Sequence, residues 1–203
     1  MKISKKIKYF KSLILLYFYK FFLKENDIVI DCGANVGEFI DKINKKGVKI
    51  YAFEPHPLAF KKLTEKYKNN NNIFLHKKGV YIKNDIVKFF NHKNFTNNTK
   101  WTVATSMIKE KTNIDKNNFF ETEVIDFADF IKKLNKKIKI IKIDIEGVEF
   151  ELLDYLIDND VHKIVDVFFV ETHERIPGMK IKYEDLKQKI KDKKIKNIKL
   201  NWI

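Results

Sequence analysis

Apolar residues recur at helical spacing near the start of the chain, then fall into short runs separated by helical stretches. Ile3, Ile7, Phe10, Ile14, Tyr17 and Phe21 step by three and four, which places them on one face of a helix over residues 2–24. Lys2, Lys5, Lys6, Lys8 and Lys11 fall mostly off that stripe. From Leu13 to Leu23 the segment is apolar nearly all round, broken by Lys20. The run is too short for a bilayer span. No small-residue cleavage site follows it, which argues against a signal peptide. The stripe is expected to pack on the domain. The alternative is a basic, aromatic helix lying on an acidic membrane surface.

After this helix the pattern alternates. Strands are expected at 27–31, 49–53 and 73–75, with helices at 37–46 and 58–67 between them. The runs 80–82 and 86–90 flank Asn84 and Asp85 and read as an antiparallel hairpin, though without the usual glycine. Residues 95–119 are polar and irregular, as functional loops and lids often are. Alternation returns with helices at 127–134, 148–157 and 183–192, and strands at 138–143, 164–170 and 198–202. This order predicts an α/β fold with a mostly parallel, doubly wound sheet. The amphipathic helix, 1–24, would precede a single domain, 25–203.

Composition changes the picture in two ways. A single cysteine, Cys32, excludes an intramolecular disulfide framework and fits a reducing, cytoplasmic setting. The formal charge of +14 favours anionic partners. Arg175 is the only arginine, however, and the lysines are scattered among asparagine and isoleucine. A dedicated nucleic-acid site would use arginine for bidentate recognition, so nucleic acid is not the expected partner.

The most informative stretch is Asp31-Cys32-Gly33-Ala34-Asn35-Val36-Gly37, where a strand ends in an acid and a glycine turn opens a helix. The spacing is D-x-G-x-x-x-G, not the G-x-G-x-x-G that seats a pyrophosphate. An acid at Asp31 would repel a pyrophosphate and suits an ammonium or a sulfonium. Glu54 closes the second strand, about 20 residues after the turn, where an acid can accept hydrogen bonds from both ribose hydroxyls. The pair suggests a positively charged nucleoside without phosphate, a description that S-adenosylmethionine meets.

At this point three ordered motifs carry a family likeness. Asp31 to Gly37 resembles D-x-G-A-N-x-G; Phe53-Glu54-Pro55-His56-Pro57 resembles F-E-P-x-P; Lys142 to Glu149 resembles K-I-D-x-E-G-x-E. The chain resembles the FkbM family of S-adenosylmethionine-dependent methyltransferases over roughly residues 25–175. The resemblance implies a Rossmann-like class I methyltransferase with a seven-stranded sheet. It also implies methyl transfer to a hydroxyl oxygen of a sugar or natural product. The implied cofactor-binding set is Asp31, Gly33, Asn35, Gly37, Glu54 and Asp144. Only one helix and one strand follow the fifth strand of the alternation, so the C-terminal sheet edge is expected to be truncated. A second copy of the chain could cover that edge, giving a homo-oligomer.

Methyl transfer to a hydroxyl needs alignment and a proton acceptor. Asp144 ends the strand next to the first, and Glu146 follows at the mouth of the loop. His173, after the fifth strand, titrates near neutrality, with Glu171 placed to orient it or to bind a sugar hydroxyl. Asp144, Glu146, His173 and Glu171 are therefore the candidate catalytic residues. Glu149 is expected to serve the helix start rather than substrate. His56 is placed either near the adenine or in a turn. Asp144, Glu146 and Glu171 would suffice for part of a metal site, but no metal is expected, and Cys32 has no partner for zinc. The expected function is O-methylation of a sugar or glycan precursor; in the alternative placement of the first helix, residues 1–24 would touch the inner face of the membrane. The competing functions are a nucleic-acid methyltransferase and a non-catalytic, membrane-associated module on the same fold.

Overall fold

The structure is a computed structural model that describes residues 3–96, 98–200 and 202, with side chains from residue 7 onward apart from the omitted positions. Lys2, the side chains of Ile3, Lys5 and Lys6, and Asn201 of the expected last strand lie outside the described residues. A long helix, α1 (Ile3–Phe22), leads into β1 (Ile28–Cys32), α2 (Glu38–Ile43), β2 (Lys49–Phe53), α3 (Pro57–Tyr67) and β3 (Ile73–His76). Later come α4 (Phe127–Leu134), β7 (Ile138–Ile143), α5 (Glu149–Asp158), β8 (Val165–Val170), α6 (Met179–Asp192) and β9 (Ile198–Leu200). These strands form a six-stranded sheet in the order β3-β2-β1-β7-β8-β9. Every pairing in it is parallel.

Strands buried on both faces read as near-continuous apolar runs, and β1, β7 and β8 do so because helices cover both sides. Leu16, Phe39, Ile40 and Leu63 from α1, α2 and α3 pack one face. Phe127, Ile131, Phe150, Leu153 and Leu186 from α4, α5 and α6 pack the other. The strand order reverses between β1 and β7, and in open α/β sheets that switch point is where the crevice for ligands opens. The main sheet has six strands rather than the seven the resemblance implies, and among the described residues it ends at β9 as an all-parallel edge.

The middle of the chain departs from the expected hairpin. β4 (Gly79–Tyr81) and β5 (Asp85–His92) do not pair with each other. Both flank β6 (Ile114–Asp126), parallel and antiparallel respectively. A long central strand gives both short strands more ladder than a hairpin without a glycine turn could. The irregular stretch 95–119 holds a 3-10 helix, Thr99–Ala104, and the first half of β6. No strand is expected over any of β6, because its side chains are mostly polar and exposed or half-exposed and no apolar alternation marks it.

The first helix also corrects an expectation. It packs on the sheet, but through Ser12, Leu16 and Leu23, with Tyr19 set edge-on against Phe169 at 5.5 Å. The expected core stripe, Ile7, Phe10, Ile14, Tyr17 and Phe21, faces outward and is exposed. A segment apolar all round has two faces to choose from, and the stepped pattern marked the wrong one. Lys45 Nζ donates to the carbonyls of Phe21 and Leu23 at 3.0 and 2.6 Å, closing the C-terminal end of α1.

Candidate active site

The site is built where β1 and β7 end side by side. Gly33 follows β1 with φ of 79°, and a Cβ there would lie 1.9 Å from the carbonyl oxygen of Asp144. The glycine is required so that the two strand ends can touch. It serves this packing and also lines both of the clefts described below. Gly37, with φ of 88°, likewise leaves room for the Tyr67 ring, whose hydroxyl donates to the Gly37 carbonyl at 2.9 Å.

Glu54 leaves β2 and is almost wholly buried. One carboxylate oxygen accepts the Asn35 N–H at 2.7 Å and the other the His56 N–H at 2.8 Å. Each oxygen keeps acceptor capacity. Burial pushes its pKa up to about 7 against the lowering effect of those two bonds. Asn35 adopts a left-handed backbone, and its amide donates to Thr102 Oγ1 at 3.2 Å, tying the glycine turn to the 3-10 helix. His56 caps α3: its Nδ1 accepts the Leu58 N–H at 3.1 Å, and Nε2 faces Asn91 Oδ1 at 3.2 Å. Its role is in the turn, and burial lowers its pKa.

Asp31 is fully buried at the end of β1. Its carboxylate lies 3.2 Å from Lys142 Nζ and lines neither of the two clefts described below. Burial raises its pKa despite that ammonium. Lys142 also donates to the Gly33 carbonyl at 2.7 Å and lies 3.5 Å from Asp144. Burial alone would lower its pKa, but the charges of Asp31 and Asp144 raise it. Lys142 thus pins the ends of β1 and β7 together. Its signal in the sequence was a lysine inside the apolar run Ile138–Ile143.

Beyond Asp144 the chain turns through Glu146, which has a positive φ of 60°. Glu149, fully buried, accepts the N–H groups of Ile145 and Gly147 and lies 2.9 Å from His173 Nδ1. It therefore holds the loop and the histidine, and Glu171 does not orient His173 as expected. His173 Nε2 faces Glu146 at 3.3 Å, and Lys111 forms a very short ion pair with the same Glu146 oxygen. Burial would lower the His173 pKa, but the bond and charge of Glu149, with Glu146, raise it to about 9. That direction favours the protonated imidazole, and both ring nitrogens already face carboxylates. Burial raises the pKa of Glu146, opposed by His173 and Lys111. Burial and the nearby charge of Asp144 raise that of Glu171. Ser106 Oγ donates to the Glu146 carbonyl at 2.6 Å.

Two clefts meet at this point. The first, about 620 Å³ with part open to solvent, is lined by Gly33, Phe53, Glu54, Val80, Phe89 and Asp144, among others. The second, about 1300 Å³ and wider, runs past Asn35, Lys42, Lys100 and Asp144 to Trp202 and to Tyr9 and Leu13 of α1. Asp144 lines both; Glu146 lines the first and shares an adjoining depression with Lys111 and His173. The segment Thr102 to Met107 walls the first cleft. Asp144, Glu146 and His173 bring one ligand-type atom each within 4.8 Å of one another.

Comparison with known proteins gives a family. Residues 31–194 match the methyltransferase FkbM domain. None of the curated proteins matches the chain. A solved structure of a candidate rRNA methylase from Clostridium thermocellum is 12% identical, with 89% of this chain and 80% of that one covered and a TM-score of 0.49. A candidate methyltransferase from Streptococcus mutans, solved with SAH, is 13% identical, with coverages of 88% and 80% and a TM-score of 0.48.

Proposed function

The chain belongs to the FkbM family of S-adenosylmethionine-dependent methyltransferases, and from that premise we propose that it methylates a hydroxyl oxygen of a sugar or glycan precursor. The residues of the first cleft fit the donor. Glu54 offers remaining lone pairs to two ribose hydroxyls, and its orientation is fixed by backbone N–H groups of Asn35 and His56. Phe53, Pro55, Val80 and Phe89 give apolar walls suited to a base. The donor, when bound, supplies an electrophilic methyl group on a sulfonium.

The observation that carries the reading is Asp144 at the junction of the two clefts. The second cleft sets aromatic surfaces, Tyr9, Phe39 and Trp202, beside Glu38, Lys42 and Lys100. That mixture of flat apolar faces and charged hydrogen-bonding groups suits a polyhydroxylated acceptor. Asp144 takes the proton of the attacking hydroxyl, and Lys142 holds its carboxylate in place. Glu146 bounds the loop beside it, with His173 and Glu149 as positioning residues. The test is methyl transfer from isotopically labelled S-adenosylmethionine to a panel of nucleotide sugars and glycans, with the O-methyl ether identified by mass spectrometry. Asp144→Asn should bind the donor and lose transfer. Label appearing only in nucleic acid or on nitrogen would overturn the reading.

A further inference from the structure

The outward face of α1 takes no part in the site or the core. Phe10, Ile14, Tyr17, Phe18, Phe21 and Phe22 are exposed along it, Phe10 at 65% and Phe21 at 76%. Single exposed apolar residues are ordinary, but a contiguous aromatic stripe marks an interaction surface. The stripe lies opposite the face that Ser12, Leu16 and Leu23 bury against the sheet, so docking would not disturb the fold. Phe18 and Phe22, and Phe21 and Phe22, meet edge to face at 5.0 and 5.2 Å, which makes one continuous aromatic ledge.

Charge selects the occupant. Lys8 and Lys11 are exposed on the same helix, the sequence adds Lys2, Lys5 and Lys6 before them, and the first acidic residue of the chain is Glu25. A second copy of this face would bring its own lysines against these, whereas an anionic lipid surface offers apolar depth and negative charge together. No helix among the described residues is long and apolar enough to cross a membrane. We propose that α1 is a docking helix that lays its aromatic ledge into the surface of an anionic bilayer while its lysines meet the lipid headgroups. Tyr9 and Leu13 of the same helix line the second cleft, so docking sets the mouth of that cleft beside the lipid. An acceptor carried on a lipid is then the class within reach, a consequence that rests on the methyltransferase reading, whereas the docking itself does not.

The experiment is sedimentation of the full chain with phosphatidylcholine vesicles, with and without phosphatidylglycerol, at low and high salt. Binding to the anionic vesicles alone, weakened by salt, is expected. The triple variant Phe10→Ser, Phe18→Ser, Phe21→Ser and the double variant Lys8→Glu, Lys11→Glu should each weaken it by roughly tenfold or more. Both should keep the wild-type far-ultraviolet spectrum and melt within a few degrees of wild type, since all five side chains are exposed and only Phe18 meets the packed face, at the Tyr19 ring. No binding by wild type, or binding undiminished in both variants, overturns the proposal. A dimer that the triple variant breaks, with no vesicle binding, also overturns it and assigns the face to a second copy. None of these outcomes depends on methyl transfer.

Discussion

The two ends of the first cleft are held in different ways. At the Glu54 end, the carboxylate is fixed by backbone N–H groups of Asn35 and His56, both within its own β1-α2-β2-α3 unit. At the Glu146 end, the loop is fixed by side chains: Glu149 three residues on, and Ser106, Lys111 and His173 from remote positions. The first arrangement depends on local chain geometry. The second depends on buried charges that must all be present and correctly protonated. The Glu54 end should therefore tolerate single substitutions in its surroundings, while the Glu146 end should not.

The sharpest way to break this contrast is Glu149→Leu. It leaves the His173 charge and the N–H groups of Ile145 and Gly147 buried without their acceptor, and should cost about 3–5 kcal/mol in urea unfolding. Glu54→Ala also takes the acceptor from two N–H groups but strands no charge, and should cost less, about 1–2 kcal/mol at pH 8. If the two variants lose the same stability, the ends are not held differently.

Next in size, the ends should titrate in different windows. The Glu54 pKa rises on folding from 4.5 to about 7, so the stability it contributes is present below pH 4.5 and lost as pH rises through 7. The His173 pKa rises from 6.5 to about 9, so its contribution is present below pH 6.5 and lost as pH rises through 9. Each is worth about 3 kcal/mol at most. Unfolding free energies between pH 4 and 10 should show the lower window flattened in Glu54→Ala and the upper one flattened in His173→Gln. Flattening of both windows by either substitution would contradict the assignment.

A smaller effect concerns Lys111→Met. Removing that ammonium should raise the Glu146 pKa further, because Lys111 now opposes the effect of burial. Carboxyl NMR titration reads the direction directly. Smallest of all, Ser106→Ala loses the hydrogen bond to the Glu146 carbonyl and should cost about 1 kcal/mol.

The same contrast explains what could be read in advance. The alternation of β1, α2, β2 and α3 is local periodicity, and Glu54 falls at a fixed distance from the glycine turn, so both were legible. Glu149 and Lys142 looked like a helix-start acid and a strand lysine; their roles arise from partners far away in sequence. Of the two roles expected for Glu171, orienting His173 falls to Glu149 instead, whose carboxylate lies 2.9 Å from His173 Nδ1. β6 was missed because it is mostly polar and half-exposed, and α1 was turned over because it is apolar on two sides. Periodicity identifies an apolar face but does not say whether protein or something else covers it.

The most direct test of the account is calorimetric titration of the protein and of Glu54→Ala with S-adenosylmethionine. Two charge-assisted hydrogen bonds to the ribose predict a loss of about 100-fold or more in affinity in the variant, with its fold intact by far-ultraviolet spectrum and melting. Equal affinity in wild type and variant, or no binding by the folded wild type, would contradict the placement of the methyl donor in the Glu54 cleft.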